Sequence, residues 1–204
     1  MKFIEIEKMG SVVSRLALGR STAVRTDHIV PTVGDVIAVR ALSESVTYGN
    51  IELPSGRLAK INTGDIILGA LGKRRALKGF VGEVPEMVKA GDRLHLLNMG
   101  GVIGVCKGHH SSFSDAIEVE VIGVACDVNG LVINIGGGAL VPADNLSACV
   151  PLIMIAGTCM NSGKTVAATK IIKRAANSGL RVAAAKLSGI ACLRDTLHMQ
   201  DNGA

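Results

Sequence analysis

The stretch Val150-Pro151-Leu152-Ile153-Met154-Ile155-Ala156-Gly157-Thr158-Cys159-Met160-Asn161-Ser162-Gly163-Lys164-Thr165 decides how the last quarter of the chain is read. Its apolar opening fits a strand of a parallel sheet covered on both faces. The glycine-containing loop that follows fits an anion cradle: backbone N–H groups wrap the anion and the next helix adds the positive end of its dipole. In that arrangement Lys164 reaches the outer phosphates and the Thr165 hydroxyl holds Mg²⁺. The common form of such a loop is Gly-x-x-x-x-Gly-Lys-Ser/Thr, one residue shorter than the run from Gly157 to Thr165. The plain alternative is a Gly/Ser turn that ends by chance in Gly-Lys-Thr.

Downstream residues fit the cradle. Ala168, Ile171, Ile172 and Ala175 recur at helical spacing, with Lys170, Lys173 and Arg174 beside them; this predicts an amphipathic helix. Asn177-Ser178-Gly179 supplies a C-terminal cap after basic side chains. A second, largely apolar run at 180–185 then carries Lys186-Leu187-Ser188-Gly189 at its carboxyl end, where ligands sit in open α/β sheets.

The loop length and the Gly157-Thr158 opening resemble the phosphate loop of dethiobiotin synthetase, Gly-Thr-Asp-Thr-x-Val-Gly-Lys-Thr. More broadly they are similar to the cobyrinate and cobyric acid synthase, MinD-like group of P-loop proteins. Five of nine positions agree, and Cys159, Met160, Asn161 and Ser162 depart. The resemblance implies a P-loop α/β domain that uses ATP and Mg²⁺ and activates a small acidic acceptor by phosphoryl transfer. It implies nucleotide contacts from Gly157, Thr158, Cys159, Met160, Asn161, Ser162, Gly163, Lys164, Thr165 and Val166, catalytic roles for Lys164 and Lys186, and Thr165 as the metal ligand. Lys186 resembles a lysine that these enzymes carry after the second strand, with Leu187 in place of their proline; a solvated lysine at a strand end is the alternative. A rival class stays open: a nucleotide-dependent switch, or a β-domain interaction module without catalysis of its own.

Residues 149–204 are expected to be the start of that domain, because only two strand-like runs and one clear helix pattern follow residue 149. The expectation is therefore a longer natural protein, or a sheet completed by another subunit in a homo-oligomer, and little activity in this chain alone. Asp195 and Asp201 are the acids available near Mg²⁺, read more simply as exposed carboxylates. Residues 150–204 hold seven Lys/Arg against two Asp/Glu, while residues 1–149 hold fifteen of each. The net charge of +5 thus belongs to the loop-bearing segment, which favours a small polyanion there. Nucleic acid is not the expected partner, since three Phe and one Tyr leave little to stack on bases. Lys73-Arg74-Arg75 with Lys78 reads as a solvated loop.

Residues 1–148 read as an all-β domain, a small β-barrel or barrel-sandwich. Val/Ile-rich runs recur at 36–42, 46–53, 66–71, 80–84, 93–97, 102–106, 117–124 and 131–135. A weak repeat punctuates them: Val33-Gly34-Asp35, Thr63-Gly64-Asp65 and Ala90-Gly91-Asp92, at intervals of 30 and 27 residues. Each is a turn that launches a strand, with Gly free to take positive φ and Asp bonding local backbone. Val88-Lys89-Ala90-Gly91-Asp92 resembles a turn of biotinyl/lipoyl-type domains, but the attachment lysine between methionines is lacking, so a carrier role is not expected. Cys106 with His109 and His110 offers Zn²⁺-type ligands without a fourth partner. Plain surface histidines are the simpler reading, as a tight connection is for Gly136-Gly137-Gly138.

Five cysteines without a Cys-x-x-Cys pair fit reduced thiols. The alternating start Met1-Lys2-Phe3-Ile4-Glu5-Ile6-Glu7 is a strand and not a signal peptide. No apolar run reaches membrane-spanning length despite a mean hydropathy of +0.40. A cytoplasmic protein without a membrane partner is the expectation.

Overall fold

The computed structural model describes all residues except 77–78, 143, 146–149, 159–161 and 189–191. The chain divides into two compact units, Met1–Gly138 and Ala139–Ala204. The boundary expected at 148–149 lies outside the described residues.

The first unit is all-β. Its strands are β1 (Lys2–Glu5), β2 (Lys8–Met9), β3 (Ser21–Arg25), β4 (Val36–Ala41), β5 (Asn50–Glu52), β6 (Leu58–Lys60), β7 (Ile66–Leu71), β8 (Arg74–Arg75), β9 (Phe80–Glu83), β10 (Arg93–Leu96), β11 (Val102–His109) and β12 (Glu118–Ala125). Strand β12 pairs with β4, β4 with β7, β7 with β11, β11 with β10, and β10 returns to β12. These five strands close a ring, so none of them is left as a bare edge. Only the β7–β11 pairing in the ring is parallel. Strands β3 and β1 extend the sheet from β12, β9 and β8 extend it from β11, and β2 lies parallel to β7.

Side-chain alternation explains the apolar composition. Ile37, Val39, Ile67, Leu71, Leu94, Leu96, Ile103, Val119 and Val121 form the ring's interior cluster. The alternate positions Val36, Ala38, Leu68 and Ala70 join a second cluster with Ile6, Val13, Val24 and Ala125. Strands β4 and β7 are therefore covered on both faces, and read as continuous apolar runs for that reason. A register shift between Val121 and Gly123 adds one residue to β12, so Val121 and Val124, three positions apart, share the interior face.

The three Gly-Asp turns share one geometry. Gly34, Gly64 and Gly91 have φ of 94°, 97° and 89°. The Asp35, Asp65 and Asp92 carboxylates accept the backbone N–H three residues earlier, from Thr32, Asn62 and Lys89, at 2.7, 2.6 and 2.9 Å. Each turn leads directly into β4, β7 or β10. The run expected as a strand at 131–135 makes only single bridges, Val132 with Cys126 and Asn134 with Asp35, before a 3-10 turn at Ile135–Gly138.

The second unit holds α1 (Lys164–Asn177) and α2 (Arg194–Asp201). They begin 30 residues apart, each after an apolar segment and a loop, and this internal repeat was not evident from composition. Thr169 and Ile172 of α1 and Met199 of α2 are buried. The close approach is visible at Gly203, where a Cβ would come within 2.7 Å of Ala176 Cβ. The parallel strands expected at 150–156 and 180–185 are absent among the described residues, which make no ladder there. Val150, Leu152, Ile153, Met154 and Leu180 are all exposed. β-structure is held by lateral pairing, and neither segment receives it.

Candidate functional site

The residues expected to form an anion loop belong to the second unit, and the structure brings Gly157 close to Ser162 and Lys164. Gly157 opens it in tight quarters: a Cβ there would lie 2.6 Å from Ser162 Oγ and 3.0 Å from Lys164 Cγ. A side chain there would require Ser162 and Lys164 to move aside. Gly163 is the N-cap of α1 with φ 86°, a left-handed conformation that glycine adopts without steric cost. Lys164 is the first residue of α1, and its Nζ donates to Ser162 Oγ at 3.1 Å, folding the ammonium back over the loop. Thr165 is half-buried in the first helical turn, and Val166 and Thr158 are exposed. Cys159, Met160 and Asn161 lie outside the described residues, as do Lys78, Cys149 and Gly189.

The start of α1 carries no acidic residue and no side-chain cap hydrogen bond among the described residues. No acidic side chain of that first turn offsets the positive end of the helix dipole. The start of α2 is different. Asp195 lies in its first turn and forms an ion pair with Lys186, with side-chain exposures of 31% and 23%. Lys186 is thus anchored across the second loop to Asp195 and is not a freely solvated strand-end lysine. Asp195 carries its own negative charge to the helix start and meets a lysine as well, whereas the first turn of α1 holds no acid. Sequence reading placed Asp195 on a plain exposed surface; the signal that it missed was the 30-residue offset that sets Asp195 opposite Thr165.

The residues suggestive of Zn²⁺ in the first unit go to separate partners. Cys106 Sγ is directed to Gly108 O at 3.6 Å, His109 Nε2 to Asp115 Oδ1 at 3.1 Å, and His110 Nδ1 to Ser112 Oγ at 2.7 Å. Among the described residues no group of three or more His, Cys, Asp or Glu is arranged to hold a metal ion. Around His109 the chain gathers most of its aromatic residues: Phe80 packs edge-on against Tyr48, His109 and Phe113, and the Arg74 guanidinium lies 4.9 Å from the Tyr48 ring centre. Tyr48 is the one described non-glycine residue with positive φ, 56°. Burial pushes the Cys126 thiol up from its ordinary value, which keeps it protonated and unreactive.

No protein-family model, curated protein or solved structure shows significant similarity to this chain. No described helix is long and apolar enough to cross a membrane.

Proposed function

We propose that the chain is an ATP–Mg²⁺-binding protein of the P-loop class, with residues 157–166 as its phosphate loop. The observation that carries this reading is the contrast between the two helix starts: α1 opens behind Gly157 and Gly163 with no acidic residue in its first turn and Lys164 bonded to Ser162, whereas Asp195 lies in the first turn of α2. Backbone N–H groups of the loop would donate to phosphate oxygens, Lys164 would reach the outer phosphates, and the Thr165 hydroxyl would ligate Mg²⁺. The bound nucleotide would supply a transferable phosphoryl group. Lys186, held by Asp195, would stand ready to meet a developing negative charge. The acceptor suited to such a site is a small acid, and the resemblance to dethiobiotin synthetase-like enzymes points the same way.

The test is titration calorimetry of ATP with Mg²⁺ against wild type and Lys164→Ala. Lys164 is half-buried at the start of α1, and the variant should keep a cooperative melt and lose nucleotide affinity. Equal affinity in both proteins would reject the assignment.

A further inference from the structure

The first unit contains a cleft of about 620 Å³ lined by Ser43, Glu44, His95, Cys106, Lys107 and the loop through His109, Asp115 and Glu118. That volume lies within the range of small-molecule sites, about 300–1,000 Å³. Its chemistry follows from which groups are already committed. Glu44 meets Lys60 at 2.9 Å, Glu118 meets Arg93 at 3.0 Å and Asp115 meets His109 at 3.1 Å. All three lining carboxylates therefore have cationic or imidazole partners. The Ser43 hydroxyl accepts the Glu118 N–H at 3.0 Å, and the Cys106 thiol is directed to Gly108 O.

Two groups remain, and both are donors. His95 Nδ1 accepts the Cys106 backbone N–H at 3.3 Å; in the neutral ring the proton is then on Nε2, which has no partner among the described residues. Lys107 also has no acceptor among the described residues. Its position is unusual: the β9–β11 register shifts between Cys106 and Gly108, so Lys107 is the extra residue of a bulge. Bulges of this kind re-aim side chains and recur beside functional sites.

We infer that this cleft is a second ligand site, taking a small molecule through a carboxylate or phosphate group held by Lys107 Nζ and His95 Nε2–H. The site belongs to the first unit and is independent of the nucleotide loop. An ammonium and an imidazole N–H placed on one oxyanion make charge-assisted hydrogen bonds, the stronger class. Glu44 and Glu118 are neutralised by Lys60 and Arg93, and the charge of Asp115 is screened by water at 98% side-chain exposure, so an anion there meets little opposing charge.

Residue-resolved NMR of the full chain tests this, with inorganic phosphate and succinate titrated separately while the His95 ring and Lys107 signals are followed. Saturable shifts at both residues are expected for at least one probe. Saturation by phosphate alone assigns a phosphoryl ligand, and saturation by succinate a carboxylate. Lys107→Ala should weaken binding by about tenfold or more, the equivalent of one lost charge-assisted hydrogen bond, while Lys107→Arg retains it. The shifts should persist in Lys164→Ala, which separates this site from the phosphate loop. Failure of both probes to saturate, or an unchanged affinity in Lys107→Ala, would overturn the inference.

Discussion

Residues 36–41 and 150–156 have closely similar apolar composition and opposite fates. Strand β4 is buried at every position but Arg40, because β12 and β7 flank it and the closed ring covers one face while the amino-terminal strands cover the other. Ile153 and Met154 stand 66% and 79% exposed with no ladder beside them. Hydropathy along a chain marks what is able to be buried; burial itself depends on partners that lie far away in sequence. In the first unit those partners come from the chain's own ring.

The sharpest way to break this comparison is to truncate one isoleucine in each region. Ile37→Ala empties a fully buried site in the ring interior and should cost about 2–5 kcal/mol in urea unfolding. Ile153→Ala removes an exposed side chain and should stay within about 0.5 kcal/mol of wild type. Comparable losses at both sites would mean that 150–156 is packed as firmly as β4.

Next in size are the three turns, which differ in what each carboxylate holds. Asp35 is buried and accepts from Thr32 N, Thr32 Oγ1 and Asn134 Nδ2, so Asp35→Ala, which removes three hydrogen bonds to a carboxylate, should cost about 2–3 kcal/mol. Asp65→Ala loses the Asn62 N–H contact and the Lys8 ion pair, and should cost about 1–2 kcal/mol. Asp92→Ala loses only the Lys89 N–H contact, at about 1 kcal/mol. A different rank order in denaturant midpoints would show that the turns are held by something other than these carboxylates.

The smallest effect is at the surface. The Arg25 guanidinium holds the Asp27 carboxyl below its usual value, first through its hydrogen bond, with a backbone hydrogen bond next and the Arg25 charge a lesser contribution. A carboxyl lowered in the folded state contributes stability above its unfolded pKa, near 3.8, and loses that contribution as pH falls through the lower folded value. Asp27→Asn should therefore lower stability slightly at neutral pH and converge on wild type as pH falls below about 4, so that the acid limb of its stability–pH profile is flatter. A difference from wild type that persists or grows at acid pH would contradict the pairing.

What was legible in the sequence was local. Gly34-Asp35, Gly64-Asp65 and Gly91-Asp92 each announce a turn through backbone chemistry within four residues, and the strands that they launch, β4, β7 and β10, lie where those turns put them. The helix from Lys164 and its cap at Ser178 are local in the same sense. The ring closure was not legible, since β10 joins β11 and β12 through registers that no neighbouring residue specifies. Nor was the Lys186–Asp195 pair, which needs the loop's path to be known. The cleft beside Lys107 depends on a one-residue bulge, and hydrophobic alternation gives no sign of such an insertion in advance.

The proposed nucleotide loop is tested most directly by hydrogen exchange of the full chain with and without ATP–Mg²⁺. Amides in peptides covering 157–166 should slow their exchange when nucleotide is added, as loop N–H groups engage phosphate, while peptides from β4, β7 and β12 stay unchanged; the same addition to Lys164→Ala should have no effect. Unaltered exchange at 157–166 in wild type, under conditions where ATP binds elsewhere or not at all, would contradict the account.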